Sequence, residues 1–379
     1  MDFQYTAEQE SFRRDVRGWL RDNLPEDLKV DDAADERVAP NRNIFERRRK
    51  WQRTMYDAGW VGLSWPREYG GRAAGLIEQV IFDEEYSRAR APVLPGYSGL
   101  GMCGPTLMHW GADAQKSRFI RRILSGEDIW CQGYSEPNAG SDLASLQTRA
   151  VDHGDYFVLN GQKVWTSGAQ FADWMFLLAR TDPAAPKHKG ISYLLLDMKS
   201  AGIDVRPLVL MNGHAHFNEV FFNDVQLSKE NLVGPINEGW KVSVTTLMYE
   251  RSGGGGSGHT SQVRRLAEVA KRFKIDGRPA WHHQWVRQRL AQFLIECEAA
   301  RYTRLRTLTR RLKGQPPGPE GSVLKLSGSE LGVKIAAFAT EMLGAHALVD
   351  APLGEVPDAP RWFNRVLSSR QYTIAGGTS

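Results

Sequence analysis

Strand-forming runs crowd into one stretch of this chain, from about Trp130 to Val225, and helix-patterned sequence lies on both sides of it. The runs are Tyr156 to Leu159, Gln162 to Ser167, Met175 to Ala179, Ile191 to Asp197, Ile203 to Val209 and Phe217 to Val225, with Asn160-Gly161 read as a hairpin turn. Only short Gly, Pro, Asn and Asp punctuation separates them, so an antiparallel sheet or small barrel is expected and βαβ units are not. The class is therefore α+β, ordered helices, sheet, helices. Boundaries fall at 1–128, 129–236 and 237–379.

On the N-terminal side, Thr6 and Gln9 fit a capping box, and Phe12, Val16, Trp19 and Leu20 share a helical face that Pro25 ends. The charged stretch from Glu26 to Asn43 reads as a connection, Glu46 to Ala58 as a helix stopped by Gly59, and Gly111 to Lys116 as the opening of a helix that ends near Ser125-Gly126. Gly99 to Gly104 matches G-x-G-x-x-G, but no strand precedes it, so it is not a Rossmann fingerprint. After Gly234-Pro235 the pattern is helical to the end, broken at Pro316 to Pro319.

At 379 residues, with 25% charged and 41% hydrophobic residues, the chain is long enough for a substantial core and fits neither a disordered nor a fibrous protein. No apolar run approaches the roughly 18 residues of a membrane span. The start, Met1 to Tyr5, lacks a signal peptide's layout, so a cytoplasmic protein is expected. Cys103, Cys131 and Cys297 are far apart and odd in number, which argues against a disulfide framework or a metal site. The net charge of +5 comes from scattered arginines and does not require nucleic acid, though it suits an anionic nucleotide-like substrate.

Two segments carry chemistry. In Gln132 to Leu143, proline and glycine bracket small polar residues, so the backbone can turn and approach a flat or phosphorylated ligand closely. In Lys163 to Gly168, an indole precedes two hydroxyls, which suits stacking on a planar ring whose edge needs a hydrogen-bond donor. Taken singly, each also reads as a plain loop or as a strand with a core tryptophan.

Together, Ser135-Glu136-Pro137-Asn138-Ala139-Gly140-Ser141-Asp142 and Asn160-Gly161-Gln162-Lys163-Val164-Trp165-Thr166-Ser167 resemble the signature of the acyl-CoA dehydrogenase family. Gly62 to Gly71 resembles that family's Gly-x-x-x-Pro-x-x-x-Gly-Gly segment, and the resemblance covers nearly the whole chain. It implies a helical N-terminal domain, a central β domain and a C-terminal four-helix bundle. It also implies FAD as cofactor and oxidation of the Cα–Cβ bond of an acyl-CoA thioester, giving the trans-2-enoyl-CoA with a hydride passed to flavin N5. Electron-transferring flavoprotein would be the electron acceptor, and the assembly a homotetramer or a heterotetramer with a paralogue.

Carried over by position, Gln132, Tyr134, Ser135 and Ser141 would line the flavin and its pyrophosphate, with Ser141 also touching substrate. Trp165 would cover one ring face, flanked by Thr166, and Ser167 would bond the N5 edge; Thr378 and Ser379 would contact FAD. The Gly376 N–H would polarise the thioester carbonyl beside Gly377, an oxyanion-hole device that needs no particular side chain. Many members carry a glutamate just before Gly-Thr-Ser, but this chain reads Ile374-Ala375-Gly376-Gly377-Thr378-Ser379. A minority place the base on the helix after the β domain in a Glu-Arg pair, here Glu250-Arg251, so Glu250 is the expected base.

The run Gly253 to Gly256, including Gly254 and Gly255 as expected substrate neighbours, sits where helix is expected, and each interior glycine costs roughly 1 kcal/mol relative to alanine. Either it makes room for a bulky, branched or cyclic acyl group, or it serves close backbone packing or a helix break. Two departures bear on the flavin phosphates. Lys274 stands where the family has an arginine, and Glu341 replaces the glutamine of a Gln-x-x-Gly-Gly contact that includes Gly344. Two alternatives follow: a subunit whose flavin site a paralogue completes, or an oxygen-using flavoenzyme of the same fold, whose base is usually an aspartate.

Overall fold

The computed structural model of the chain describes residues 5–30, 39, 41–252, 259–315, 318–351, 354 and 358–378. The chain divides into two compact units, residues 1–254 and 255–379.

The first unit opens with α1 (Ala7–Asn23), α2 (Arg42–Asp57), α3 (Leu76–Arg88), a π-helical turn (Gly99–Cys103), α4 (Gly104–Trp110) and α5 (Asp113–Ser125). The Thr6–Gln9 capping box forms, with Gln9 N donating to Thr6 Oγ1 at 3.2 Å and Thr6 N to Gln9 Oε1 at 3.0 Å. Gly126 ends α5 in the left-handed region, at φ 76°. The second helix starts earlier than its apolar pattern suggests, because Asn41 caps it by accepting from Ile44 N at 3.0 Å.

Eight strands follow: β1 (Trp130–Gly133), β2 (Arg149–Asp152), β3 (Tyr156–Lys163), β4 (Trp174–Arg180), β5 (Ile191–Asp197), β6 (Ile203–Leu208), β7 (Phe217–Ser228) and β8 (Leu232–Val233). The spatial order is β6-β7-β3-β2-β4-β5-β8, with β1 beside β4. The expected antiparallel sheet is present with two parallel exceptions, β1 with β4 and, at one register point, β2 with β4. The connection from β1 to β2, which carries the first motif segment, returns the chain across the sheet, since both strands run parallel to β4.

Asn160-Gly161 is not a hairpin turn. Asn160 pairs with Arg149 of β2 while β3 pairs with β7 on either side of it, and the register shifts between Leu159↔Val225 and Gly161↔Phe222. The extra residue belongs to β7, whose Asp224 takes φ 50° and bonds both polar atoms of Asn160 at 2.9 Å. Gly161 is required there, because a Cβ would stand 2.7 Å from Thr148 Cα.

Strand β4 is buried on both faces. Trp174, Phe176 and Leu178 join Trp51, Phe119, Trp130 and Tyr193 in a core shared with the helices, while Met175, Leu177 and Ala179 join Phe157, Leu194 and Phe222 between the strands. Helix α6 (Gly239–Ser252) then packs against β5 and α4.

In the second unit α7 (Thr260–Arg272), a small hairpin of β9 (Lys274–Ile275) and β10 (Arg278–Pro279), α8 (Gln284–Leu312), α9 (Glu320–Leu343) and α10 (Ala359–Ser369) enclose one apolar core. By length and a mean hydropathy of 1.2, the stretch Glu320–Leu348 could cross a membrane. Its Leu331, Ile335, Phe338 and Met342 are instead the centre of that core, as in the inner helix of a globular bundle.

Candidate active site

Strand β1 delivers Gln132, half-buried and opposite Phe176 of β4, into the first motif segment. Glu136 to Ala139 then closes a tight turn, its two end residues exchanging backbone hydrogen bonds of 3.1 and 3.0 Å. The Glu136 carboxylate points inward and accepts from Gln147 N at 2.7 Å, Thr148 N at 2.9 Å and Lys163 Nζ at 2.8 Å. Lys163 is fully buried and also donates to Tyr134 O at 3.1 Å, and Val164 N donates to Ser135 O at 2.9 Å. These bonds tie the two motif segments to each other.

Burial pushes the Glu136 carboxyl up, but Lys163, Thr148 and the Gln147 N–H together hold it below its ordinary range. Burial also draws the Lys163 ammonium down, to about 8, against the pull of Glu136. Both groups are charged at neutral pH. Sequence reasoning passed over this pair; the available signal was a lysine inside a strand that otherwise alternates toward the core through Phe157 and Leu159.

Past Lys163 the chain stays paired with β7, Thr166 and Asn218 exchanging backbone bonds of 3.0 and 3.1 Å. Between them Trp165 takes φ 60°, a left-handed conformation that costs a bulky L-residue roughly 1–2 kcal/mol. That turn of the backbone throws the indole outward, where it is 56% exposed and stands edge-on to Phe217 at 5.8 Å. The reading of Trp165 as a core residue is thereby excluded. Thr166 is buried, and its Oγ1 has no hydrogen-bond partner among the described residues. Ser167 is half-buried and lines a cleft with Gly168, Phe171, Trp130 and Arg48. Ser135 is half-buried and Ser141 exposed, next to an Asp142 that pairs with Lys187 and bonds Ser145 Oγ at 2.6 Å.

Tyr134 departs from the expected flavin-lining group in its surroundings. It is 5% exposed, with its ring edge-on to Phe176 and Tyr193 in the core shared with the helices. Glu250 lies exposed in the last turn of α6, and its charge adds to the burial that pushes the Tyr134 phenol far above its ordinary range. Arg251 follows in the same turn; its side chain, together with Gly254, Gly255 and Ser379, lies outside the described residues.

The second unit carries the remaining expected residues. Lys274 is exposed on the small hairpin, whose turn at Asp276 and Gly277 takes φ 51° and 75°. Glu341 is exposed in the last turn of α9, and Gly344 is that helix's C-cap at φ 55°. Gly376, Gly377 and Thr378 form an exposed turn, with Lys325 Nζ donating to Gly377 O.

Sequence profiles of the acyl-CoA dehydrogenase N-terminal, middle and C-terminal domains match residues 6–127, 131–225 and 237–379. The chain belongs to the acyl-CoA dehydrogenase family. Acyl-CoA dehydrogenase IpdE1 of Mycobacterium tuberculosis is 38% identical over 375 residues, covering 98% of this chain and 94% of the relative. Among solved structures, the Tcur3481-Tcur3483 steroid ACAD superposes with a TM-score of 0.83 at 31% identity, covering 100% of this chain and 95% of that one. The ChsE4-ChsE5 complex from Mycobacterium tuberculosis gives the same TM-score, identity and coverage.

This chain is thus an oxidoreductase of FAD-dependent acyl-CoA dehydrogenation, built as a helical N-terminal part, a central β part and a helical C-terminal part. The first unit fits the flavin: an indole held outward by a strained backbone, a half-buried serine two residues on, and an unpartnered buried threonine hydroxyl between them. A Cβ on Gly140 would meet nothing within 4 Å, so the motif turn leaves room for a close ligand.

Proposed function

We propose that this acyl-CoA dehydrogenase acts on a bulky, ring-bearing acyl group, with Glu250 taking the α-proton. The observation that carries the reading is the location of the only expected carboxylate base. The turn at Ala375-Gly376-Gly377 offers none, whereas Glu250 ends α6, near enough to the first motif segment for its charge to act on Tyr134. Bound FAD supplies the hydride acceptor for the β-hydrogen. The Glu250 carboxylate receives the α-proton on an oxygen, and covering of this exposed group by the acyl chain would raise its pKa toward that of a general base. The Gly376 N–H is assigned to the thioester oxygen. Trp165 is assigned to a flavin ring face, Ser167 to its edge, and Gln132, Ser135 and Ser141 to the border of the site. Ring-bearing substrates are favoured by the likeness to the Tcur3481-Tcur3483 steroid ACAD.

Anaerobic mixing with steroid-ring, branched and short straight-chain acyl-CoAs tests this, following flavin bleaching and the two-hydrogen mass loss of the product. Ring-bearing thioesters should react fastest; bleaching by the straight-chain thioester alone would overturn the substrate reading.

A second reading concerns assembly. Lys274 and Glu341 replace the family's arginine and glutamine, and Glu341 would repel a phosphate. The ChsE4-ChsE5 and Tcur3481-Tcur3483 names each join two chains. We infer that a paralogous acyl-CoA dehydrogenase chain partners this one and completes a flavin site, with electron-transferring flavoprotein as acceptor. The FAD count per chain, alone and with candidate partners, decides it.

A further inference from the structure

One buried amide holds the chain on either side of Ser167. Asn218 lies on the face of β7 that also carries Val220 and Phe222, all three buried, so the alternation of that strand asks for an apolar side chain where the amide stands. Its Nδ2 donates to Thr166 O at 3.0 Å and to Gln170 Oε1 at 2.6 Å. Thr166 O can only accept, which settles the orientation of the amide. Two bonds from one NH₂ group therefore anchor the residue before Ser167 and the short helical turn after it, Ala169–Phe171.

The backbone already ties this segment to β7. Thr166 and Asn218 exchange backbone bonds, and Gly168 N donates to His216 O at 3.1 Å. What the Asn218 side chain adds is a second hold on Thr166 O and the reach to Gln170. It does so at a cost: Asn218 Oδ1 is buried and has no hydrogen-bond partner among the described residues, a penalty that a leucine would avoid. An amide in an apolar line, with its acceptor unused, is there for its donors. The stretch it holds begins at Trp165, whose φ of 60° is a strained conformation that persists only where its surroundings fix it. Ser167 stands between the two anchors, so the direction of its side chain depends on both.

We propose that Asn218 is a positioning residue for the flavin: by holding Thr166 O and Gln170 it sets the direction in which the Ser167 hydroxyl meets the flavin edge. The inference rests on the assignment of Ser167 to that edge, and Asn218 acts through Ser167.

The test is a double-mutant cycle with Asn218→Leu, Ser167→Ala and the two combined, repeated with Gln170→Ala in place of Asn218→Leu. Gln170 is half-buried, so its variant removes the second anchor with less risk to folding. The FAD dissociation constant, the reduction potential and visible spectrum of the bound flavin, and the melting temperature of the flavin-free protein are read for each. Ser167→Ala should weaken FAD binding about 2- to 10-fold, the loss of one hydrogen bond, and move the potential. Asn218→Leu should move both in the same direction, Gln170→Ala by less, and each double variant should match Ser167→Ala alone. Flavin-free Asn218→Leu should melt near the wild-type temperature. Additive effects in the double variants, or unchanged affinity and potential in both Asn218→Leu and Gln170→Ala, would overturn the inference and leave Ser167 at the flavin edge. A silent Ser167→Ala would overturn that assignment and the inference with it.

Discussion

The Glu136 carboxylate and the Lys163 ammonium meet at 2.8 Å with the lysine fully buried, and through them the strand that bears Trp165 is anchored to the turn that bears Ser135 and Ser141. A charge pair in such a place does little for net stability, since desolvation offsets attraction, but removing one partner leaves the other charge stranded.

Lys163→Met is therefore expected to destabilise the protein by about 3–5 kcal/mol in denaturant titration. Combining it with Glu136→Gln, which removes the stranded charge and keeps one acceptor oxygen where the carboxylate offers one each to the Gln147 and Thr148 N–H groups, should be less damaging than the sum of the single changes. Additive losses would show that the two side chains do not act as a unit.

The same pair sets an acid dependence. The folded pKa of Glu136 lies below its ordinary value of 4.5, so its contribution is fully present above that value and is lost as pH falls through the folded pKa. Stability curves of wild type and Glu136→Gln should run parallel near neutrality and converge as acid is added below about pH 4.5. A constant difference down to the lowest pH would contradict the assignment.

Trp165 tests whether backbone strain serves a ligand. Trp165→Gly removes the cost of a left-handed tryptophan, so flavin-free protein should melt at the wild-type temperature or higher, while FAD is held more weakly for want of the ring face. Equal FAD affinity in the variant would mean that the exposed indole has another use.

Much of this architecture is legible in the residues themselves. Thr6 with Gln9 announces the first helix, Gly126 ends the fifth, and the unbroken apolar run Met175 to Ala179 fits a strand buried on both faces. Asn160-Gly161 misleads because local turn chemistry is overridden by long-range pairing: β2 and β7 hold β3 straight from both sides, and the irregularity moves to Asp224. Glu136 and Lys163 are hidden for a different reason. Charged residues in a motif suggest a ligand, and nothing local shows that they face each other across 27 residues of chain. The buried contact between Thr106 and Thr246 is hidden for the same reason, since the two threonines lie 140 residues apart.

The phosphate-side departures give a prediction about occupancy. Purified alone, the protein should carry fewer than one FAD per chain, and Glu341→Gln should raise that number by removing a carboxylate that would oppose a phosphate. Full occupancy in the isolated wild-type chain would remove the need for a partner.

The central claim is that Glu250 is the base, and one measurement bears on it most directly. Flavin-loaded Glu250→Gln mixed anaerobically with a thioester that bleaches the wild type should remain yellow, with flavin reduction slowed by about 10²-fold or more. Bleaching at the wild-type rate would contradict the account, because no other carboxylate stands at either position where this family places its base.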